Sequence, residues 1–126
     1  MIITIDIVIE IHKRIISTSG GIEGVRDLTL LDSAISSIYQ TYNSKELYPT
    51  IIEKAARLCF AINKNHPFFD GNKRVSMHLL AIVLRFNDFN YKPTNSEVVK
   101  VGLSLADGSM DYPKLLEWLR KITNIG

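Results

Sequence analysis

Apolar side chains recur at three- and four-residue intervals over most of this chain, a spacing that predicts helices. Leu30, Leu31, Ala34, Ile35, Ile38, Tyr39 and Tyr42 fall on one side of a helix that Asn43 and Ser44 break. Ile51, Ile52, Ala55, Leu58, Cys59 and Ile62 mark the core face of the next, which begins around Thr50 after Pro49. From about Asn72 to Phe86 the residues Val75, Leu79, Leu80, Ile82, Val83 and Phe86 make a helix apolar nearly all round, the pattern of a central, deeply buried element. Asn87-Asp88-Phe89-Asn90 ends it. Two amphipathic helices follow, one from about Asn95 to Leu105. The other starts near Asp111-Tyr112-Pro113, with proline in its first turn, and buries Leu115, Leu116, Trp118, Leu119 and Ile122.

The opening segment carries two periods at once. Ile3, Ile5, Ile7, Ile9 and Ile11 alternate with Thr4, Asp6, Val8 and Glu10, which is the period of a strand. Ile5, Val8, Ile9, His12, Ile15 and Ile16 also line one helical face, with Thr4 as a cap and Asp6 in the first turn. Ser19-Gly20-Gly21 supplies a left-handed stop, and the helix is favoured. The sum is an all-α fold: a compact single-domain bundle of about six helices over residues 1–126, with no sheet expected.

Composition narrows the class. A length of 126 residues is about one domain, and 46% hydrophobic residues suffice for one core. The longest apolar run, Leu79 to Leu84, is far short of the ~20 residues that span a bilayer. The apolar start lacks a basic region and is interrupted by Asp6 and Glu10, so no signal peptide is expected. The lone cysteine, Cys59, sits in an apolar helical pattern, reads as a small core residue and suits a reducing cytoplasm. No Cys/His cluster has zinc spacing. The net charge of +2 is spread along the chain without a basic stripe interleaved with aromatics, which disfavours direct nucleic-acid binding.

The chemistry is concentrated between two helices, in His66-Pro67-Phe68-Phe69-Asp70-Gly71-Asn72-Lys73-Arg74. The start of the second helix offers unpaired backbone N–H groups from about Gly71 to Arg74 at the positive end of the helix dipole, the elements of an anion site. Gly71 lets backbone approach a phosphate closely, and Lys73 and Arg74 add positive charge. Asp70 is misplaced in a bare phosphate site but suits magnesium bridging to phosphates. An imidazole titrates nearest neutral pH of all side chains, so His66 is the candidate general base. Phe68 is expected to anchor the loop in the core. Each residue alone could be a cap or a packing residue; nine consecutive positions holding the whole set point to a site.

This stretch resembles the signature of the Fic/Doc family, His-x-Phe-x-Asp/Glu-Gly-Asn-Gly/Lys-Arg, matched at His66, Phe68, Asp70, Gly71, Asn72, Lys73 and Arg74. Ser19 to Asp27 resembles the Gly-Gly-x-x-Gly-Val/Ile-Arg-Asp loop of Doc-like proteins, a flap beside the active site in the family. The resemblance makes Arg26 a candidate substrate or phosphate contact; a surface salt bridge to Asp27 or Glu23 is the alternative. Adenylyl-transferring members usually carry glycine where Lys73 stands and a second arginine where this chain has Met77, so the departures favour the Doc branch. Met77 is expected to pack in the core.

For that branch the resemblance implies ATP and Mg2+ as cofactors and transfer of the γ-phosphate to a protein hydroxyl, with a threonine of elongation factor Tu as target and arrest of translation as outcome. It also implies a toxin–antitoxin pair in which the antitoxin inserts a helix beside the active site. Fic-type transfer of AMP is the alternative, and a non-catalytic binding module the second. Ser19-Gly20-Gly21-Ile22-Glu23-Gly24 fits in letters the family's inhibitory-helix formula, but adjacent glycines disfavour a helix and the stretch is read as a loop. His12 and His78 are expected to be packed, satisfied histidines.

Overall fold

The computed structural model of the protein describes residues 2–124. Six α-helices are present, as expected: α1 Ile5–Ser19, α2 Leu28–Ser36, α3 Ile51–Asn65, α4 Asn72–Phe86, α5 Asn95–Ala106 and α6 Tyr112–Ile122. The ambiguous opening segment is helical. Thr4 caps α1 by accepting the Ile7 N–H, and Gly20, at φ +85°, stops it. Val8, His12, Ile15 and Ile16 form its buried face. Local caps set the starts of α2, α3, α5 and α6 in the same way. Thr50 with Glu53 and Thr94 with Glu97 form capping boxes for α3 and α5. Asp111 caps α6, where Pro113 costs no hydrogen bond.

Helix α3 packs most extensively on α4, with α1 and α5 also against α4 and with α2 and α6 against α3. The buried side chains of these helices form a continuous cluster. Inside the α3/α4 contact, the buried Asn63 amide donates to Ser76 Oγ at 2.6 Å and to the Cys59 carbonyl at 3.0 Å, and Ser76 Oγ donates to the Lys73 carbonyl at 2.8 Å. The Asn63–Ser76 bond crosses the contact between two buried side chains and so helps fix how the two helices meet. The loop joining them carries the candidate chemistry.

The structure departs from the sequence-based expectation at several points. The second helix ends at Ser36 and passes through a single 3-10 turn, Ser37–Tyr39, into a small antiparallel hairpin, β1 Thr41–Tyr42 with β2 Lys45–Glu46. Asn43 (φ 52°) and Ser44 (φ 64°) form its two-residue turn, whose left-handed residues match the twist of paired strands. Tyr39 and Tyr42 are therefore exposed rather than part of the helical face. Ile51 and Phe86 are also exposed, each at the end of its helix where side chains project past the core.

Candidate active site

Helix α3 ends on His66, which adopts a left-handed conformation (φ 49°, ψ 56°) while its N–H still reaches the Ile62 carbonyl at 3.1 Å. Glycine is the usual residue in such a position, because a Cβ is crowded there. The turn presents the imidazole to solvent and buries the next two residues, Pro67 and Phe68. His66 lines a cleft of about 380 Å³ between the end of α3 and the α5–α6 connection, together with Phe60, Asn63, Lys64 and Asp107. The imidazole is accessible from a cleft, as a base acting on a bound substrate must be.

Phe68 is 1% exposed and anchors the loop as expected. The Asn72 side chain closes the turn. Its Oδ1 accepts the Phe68 N–H at 3.0 Å and its Nδ2 donates to the Phe68 carbonyl at 3.0 Å. These two bonds fix the orientation of the amide, so the atom that faces His66 Nδ1, at 3.5 Å, is a donor. Nδ1 is then the accepting nitrogen, and the neutral ring carries its proton on Nε2.

Gly71 holds φ +77° and begins α4 without a side-chain cap, unlike the starts of the other five α-helices. Its own N–H is spent on Asp70 Oδ1 at 2.8 Å, so the N-terminal groups directed beyond the helix begin at Asn72 rather than at Gly71. Asp70 accepts a second main-chain bond, from Ile22 to Oδ2 at 3.0 Å. The Ile22 and then the Gly71 N–H, followed by the Arg74 guanidinium and His12, hold the Asp70 carboxyl below its ordinary value. A carboxylate offers about four acceptor directions, so Asp70 retains capacity for a cation. Among the described residues no group of three or more His, Cys, Asp or Glu could hold a metal. That donor set fits magnesium carried with phosphates, which needs one or two carboxylates, and not a metal held by protein alone.

Arg74 lies 3.5 Å from Asp70 Oδ1 and donates through Nη1 to Ser19 Oγ (2.8 Å) and to the Gly20 carbonyl (2.7 Å). Lys73 is exposed, with its stem against Gly102 of α5. Lys73 and Arg74 line a second, smaller cavity of about 160 Å³ with Met77, Val98 and Val99. A cleft of about 870 Å³ along α6 includes none of the signature residues.

The glycine-rich stretch is a loop, as expected, and it is laced to the signature. Phe69 N–H donates to the Gly24 carbonyl (3.3 Å), and Arg26 and Asp27 N–H groups share the Pro67 carbonyl (2.7 and 3.0 Å). Among the described residues no ion pair joins Arg26 to Glu23 or Asp27. Asp27 instead caps α2 through the Leu30 N–H. Arg26 donates to main chain at the end of α3, from Nε to the His66 carbonyl at 2.8 Å and from Nη2 to the Asn65 carbonyl at 3.1 Å.

His12 is packed and satisfied, but its partner is the signature loop itself. Nε2 donates to the Asp70 carbonyl at 2.7 Å and the ring stacks on Phe68 at 3.8 Å and 8°. His78 corrects the expectation of burial: it is exposed, with Nδ1 donating to the Arg74 carbonyl at 2.9 Å, because its face of α4 opens on a groove beside α1. Met77 packs in the core, 3.9 Å from the Cys59 sulfur. Burial pushes the Cys59 thiol up to about 12, so it is no nucleophile at neutral pH. No helix among the described residues is long and apolar enough to cross a membrane.

Residues 2–84 match the model of the Fic/DOC family, a span that holds the glycine-rich loop and the whole signature. The chain is also similar to Toxin Doc of Mycolicibacterium smegmatis (strain ATCC 700084 / mc(2)155), with 40% identity over 57 residues. That match covers 45% of this chain and 44% of the relative, less than half of each.

Proposed function

The chain belongs to the Fic/Doc family, and from that premise we propose that it is a Doc-type toxin kinase, moving the γ-phosphate of ATP to a protein hydroxyl. The observation that carries the choice of kinase is Met77. It is 7% exposed in the core, one turn beyond Lys73, where a nucleotidyl-transferring member would use a second guanidinium. A triphosphate held with its outer phosphates away from the helix loses that charge-assisted clamp. With the γ-phosphate at the start of α4, Lys73, Arg74 and the N–H groups of the first turn all act on the group being transferred.

In this scheme the acceptor hydroxyl displaces the long 3.5 Å contact of Asn72 at His66 Nδ1 and gives its proton to that nitrogen. The acceptor oxygen bonds to the γ-phosphorus as the bond to the β,γ-bridging oxygen breaks, and ADP leaves with that oxygen. Asn72 keeps the turn closed, and its N–H, with those of Lys73 and Arg74, meets phosphate oxygens. Arg74 exchanges its bonds to Ser19 and Gly20 for bonds to phosphate. Asp70 would hold magnesium, which neutralises phosphate charge when bound with the nucleotide. Residues 20–27 act as the flap over the acceptor.

The family resemblance supplies the rest of the proposal: a threonine of elongation factor Tu as acceptor, translation arrest in the cytoplasm, and an antitoxin helix seated beside the site. The test is parallel incubation of the protein with a bacterial extract and ATP labelled at either the α or the γ position. Protein-bound label from γ alone, lost in His66→Ala, is expected. Label from the α position would replace the kinase by a nucleotidyl transferase, and no label from either would end the enzymatic proposal.

A further inference from the structure

His66 stands in a left-handed conformation that is strained for a non-glycine residue and persists only where its surroundings hold it. Bonds from the neighbouring loop hold it. Behind the imidazole, the two last carbonyls of the α3 turn, Asn65 and His66, point at the Arg26 guanidinium and receive bonds of 3.1 and 2.8 Å. These are the carbonyls that a helix leaves without partners, at the negative end of its dipole, and a cation there is doubly favoured. The next carbonyl, Pro67, accepts both the Arg26 and Asp27 N–H groups. Three consecutive carbonyls around the candidate base are therefore tied to one short segment, two of them by a single side chain. No carboxylate competes for that side chain among the described ion pairs.

We propose that Arg26 is the positioning residue of His66: its guanidinium fork clamps the left-handed turn that aims the imidazole into the cleft, and it does not bind the substrate. The planar fork is what suits the task, because one ammonium cannot reach two adjacent carbonyls with the same fixed geometry. The inference rests on His66 acting as the base, and the test separates the two.

The experiment compares wild type with Arg26→Met, which keeps the apolar stem and removes every donor, and with Arg26→Lys. The conformational readouts are amide hydrogen exchange at His66, whose N–H bonds to Ile62, and the carbon-bound ring proton signals of His66, with buried His12 as internal reference. In Arg26→Met the His66 amide is expected to exchange roughly tenfold faster or more, and its ring signal to broaden or move while that of His12 does not. Transfer from γ-labelled ATP in the extract is expected to lose about 10²-fold in kcat with little change in KM for ATP, since displacement of a catalytic group acts on the transition state. Arg26→Lys is expected to fall between the two.

Unchanged exchange and ring signals in Arg26→Met overturn the proposal, as does a raised KM with kcat unchanged, which would make Arg26 a binding contact. If Arg26→Met does not fold, Arg26→Lys is read by the same criteria against wild type. Where wild type shows no transfer at all, the kinase proposal fails, and the exchange and ring signals alone decide the positioning claim.

Discussion

His12 donates from Nε2 to the main-chain oxygen of Asp70 at 2.7 Å, across 58 residues of sequence. The same ring lies flat on Phe68, 3.8 Å away. One side chain of α1 thus grips the signature loop at two points, on either side of Phe69. His12→Phe would keep an aromatic ring against Phe68 and leave the Asp70 carbonyl without its donor, a loss of about 1–3 kcal/mol. His12→Ala removes the stack as well and should cost roughly 3–5 kcal/mol, as large-to-small core changes do. Urea denaturation of the two variants checks the order. If alanine were no worse than phenylalanine, the stacked ring would contribute nothing.

Gly21 is where the flap leaves no room for a side chain against the site. It holds φ +122°, and a Cβ there would lie 2.6 Å from Asp70 Oδ2 and 2.9 Å from Arg74 Nη2. Its neighbour Gly20, at φ +85°, has nothing within 4 Å of a Cβ. Both alanine variants meet backbone strain of about 1–3 kcal/mol, but only Gly21→Ala also drives Asp70 and Arg74 apart. Gly21→Ala should therefore weaken ATP binding, measured by titration calorimetry, while Gly20→Ala lowers thermal stability and leaves ATP affinity within about threefold of wild type. Equal loss of affinity in the two would mean that the contact is immaterial.

Most of the fold was legible because its signals are local. The 3.6-residue period, the cap Thr4, the helix start around Thr50 after Pro49 and the helix-starting Pro113 each act within a turn or two of chain. The hairpin was not, since strands of two exposed residues have no alternation to read, although Asn43 and Ser44 mark the break. Periodicity also cannot tell which apolar positions a neighbouring helix covers, and so it places the exposed Ile51 and Phe86 on core faces. The signature residues stood out as a consecutive block. What organises them did not: the bonds from His12 to Asp70, Arg26 to His66 and Arg74 to Ser19 join positions 40 to 58 residues apart. Such pairings exist only once the helices have packed.

Asp70 gives the site a pH signature. The Ile22 and Gly71 N–H groups, with Arg74 and His12, hold its carboxyl below the ordinary 3.8 in the folded protein. The unfolded chain then binds the proton more readily as pH falls. The contribution is fully present above the ordinary value and is lost as pH drops through the depressed one. Asp70→Asn cannot titrate, so between about pH 5 and pH 2 its stability should fall less steeply than that of wild type. Parallel stability–pH profiles from chemical denaturation would show that these bonds do not discriminate between the charged and neutral carboxyl.

Asn72 offers the most specific prediction, because one amide sets both the loop and the histidine tautomer. Its Oδ1 and Nδ2 are each bonded to Phe68 main chain at 3.0 Å, so Nδ2 must be the atom that meets His66 Nδ1. In wild type above the imidazole titration the proton should reside on Nε2, which long-range proton–nitrogen correlation spectra of the ring report directly. Asn72→Asp is nearly isosteric and keeps the acceptor for the Phe68 N–H, but it places an oxygen where Nδ2 was. That oxygen faces the Phe68 carbonyl without a proton between them and presents an acceptor to His66 Nδ1. Loss of a buried bond and the new repulsion should cost about 1–3 kcal/mol or more. The ring should switch to the tautomer protonated on Nδ1, since that nitrogen now meets an acceptor. Transfer should fall along with it, because the accepting nitrogen moves to the other side of the ring. A wild-type ring already protonated on Nδ1 would contradict the bond assignment at Asn72 and remove the basis for expecting any switch.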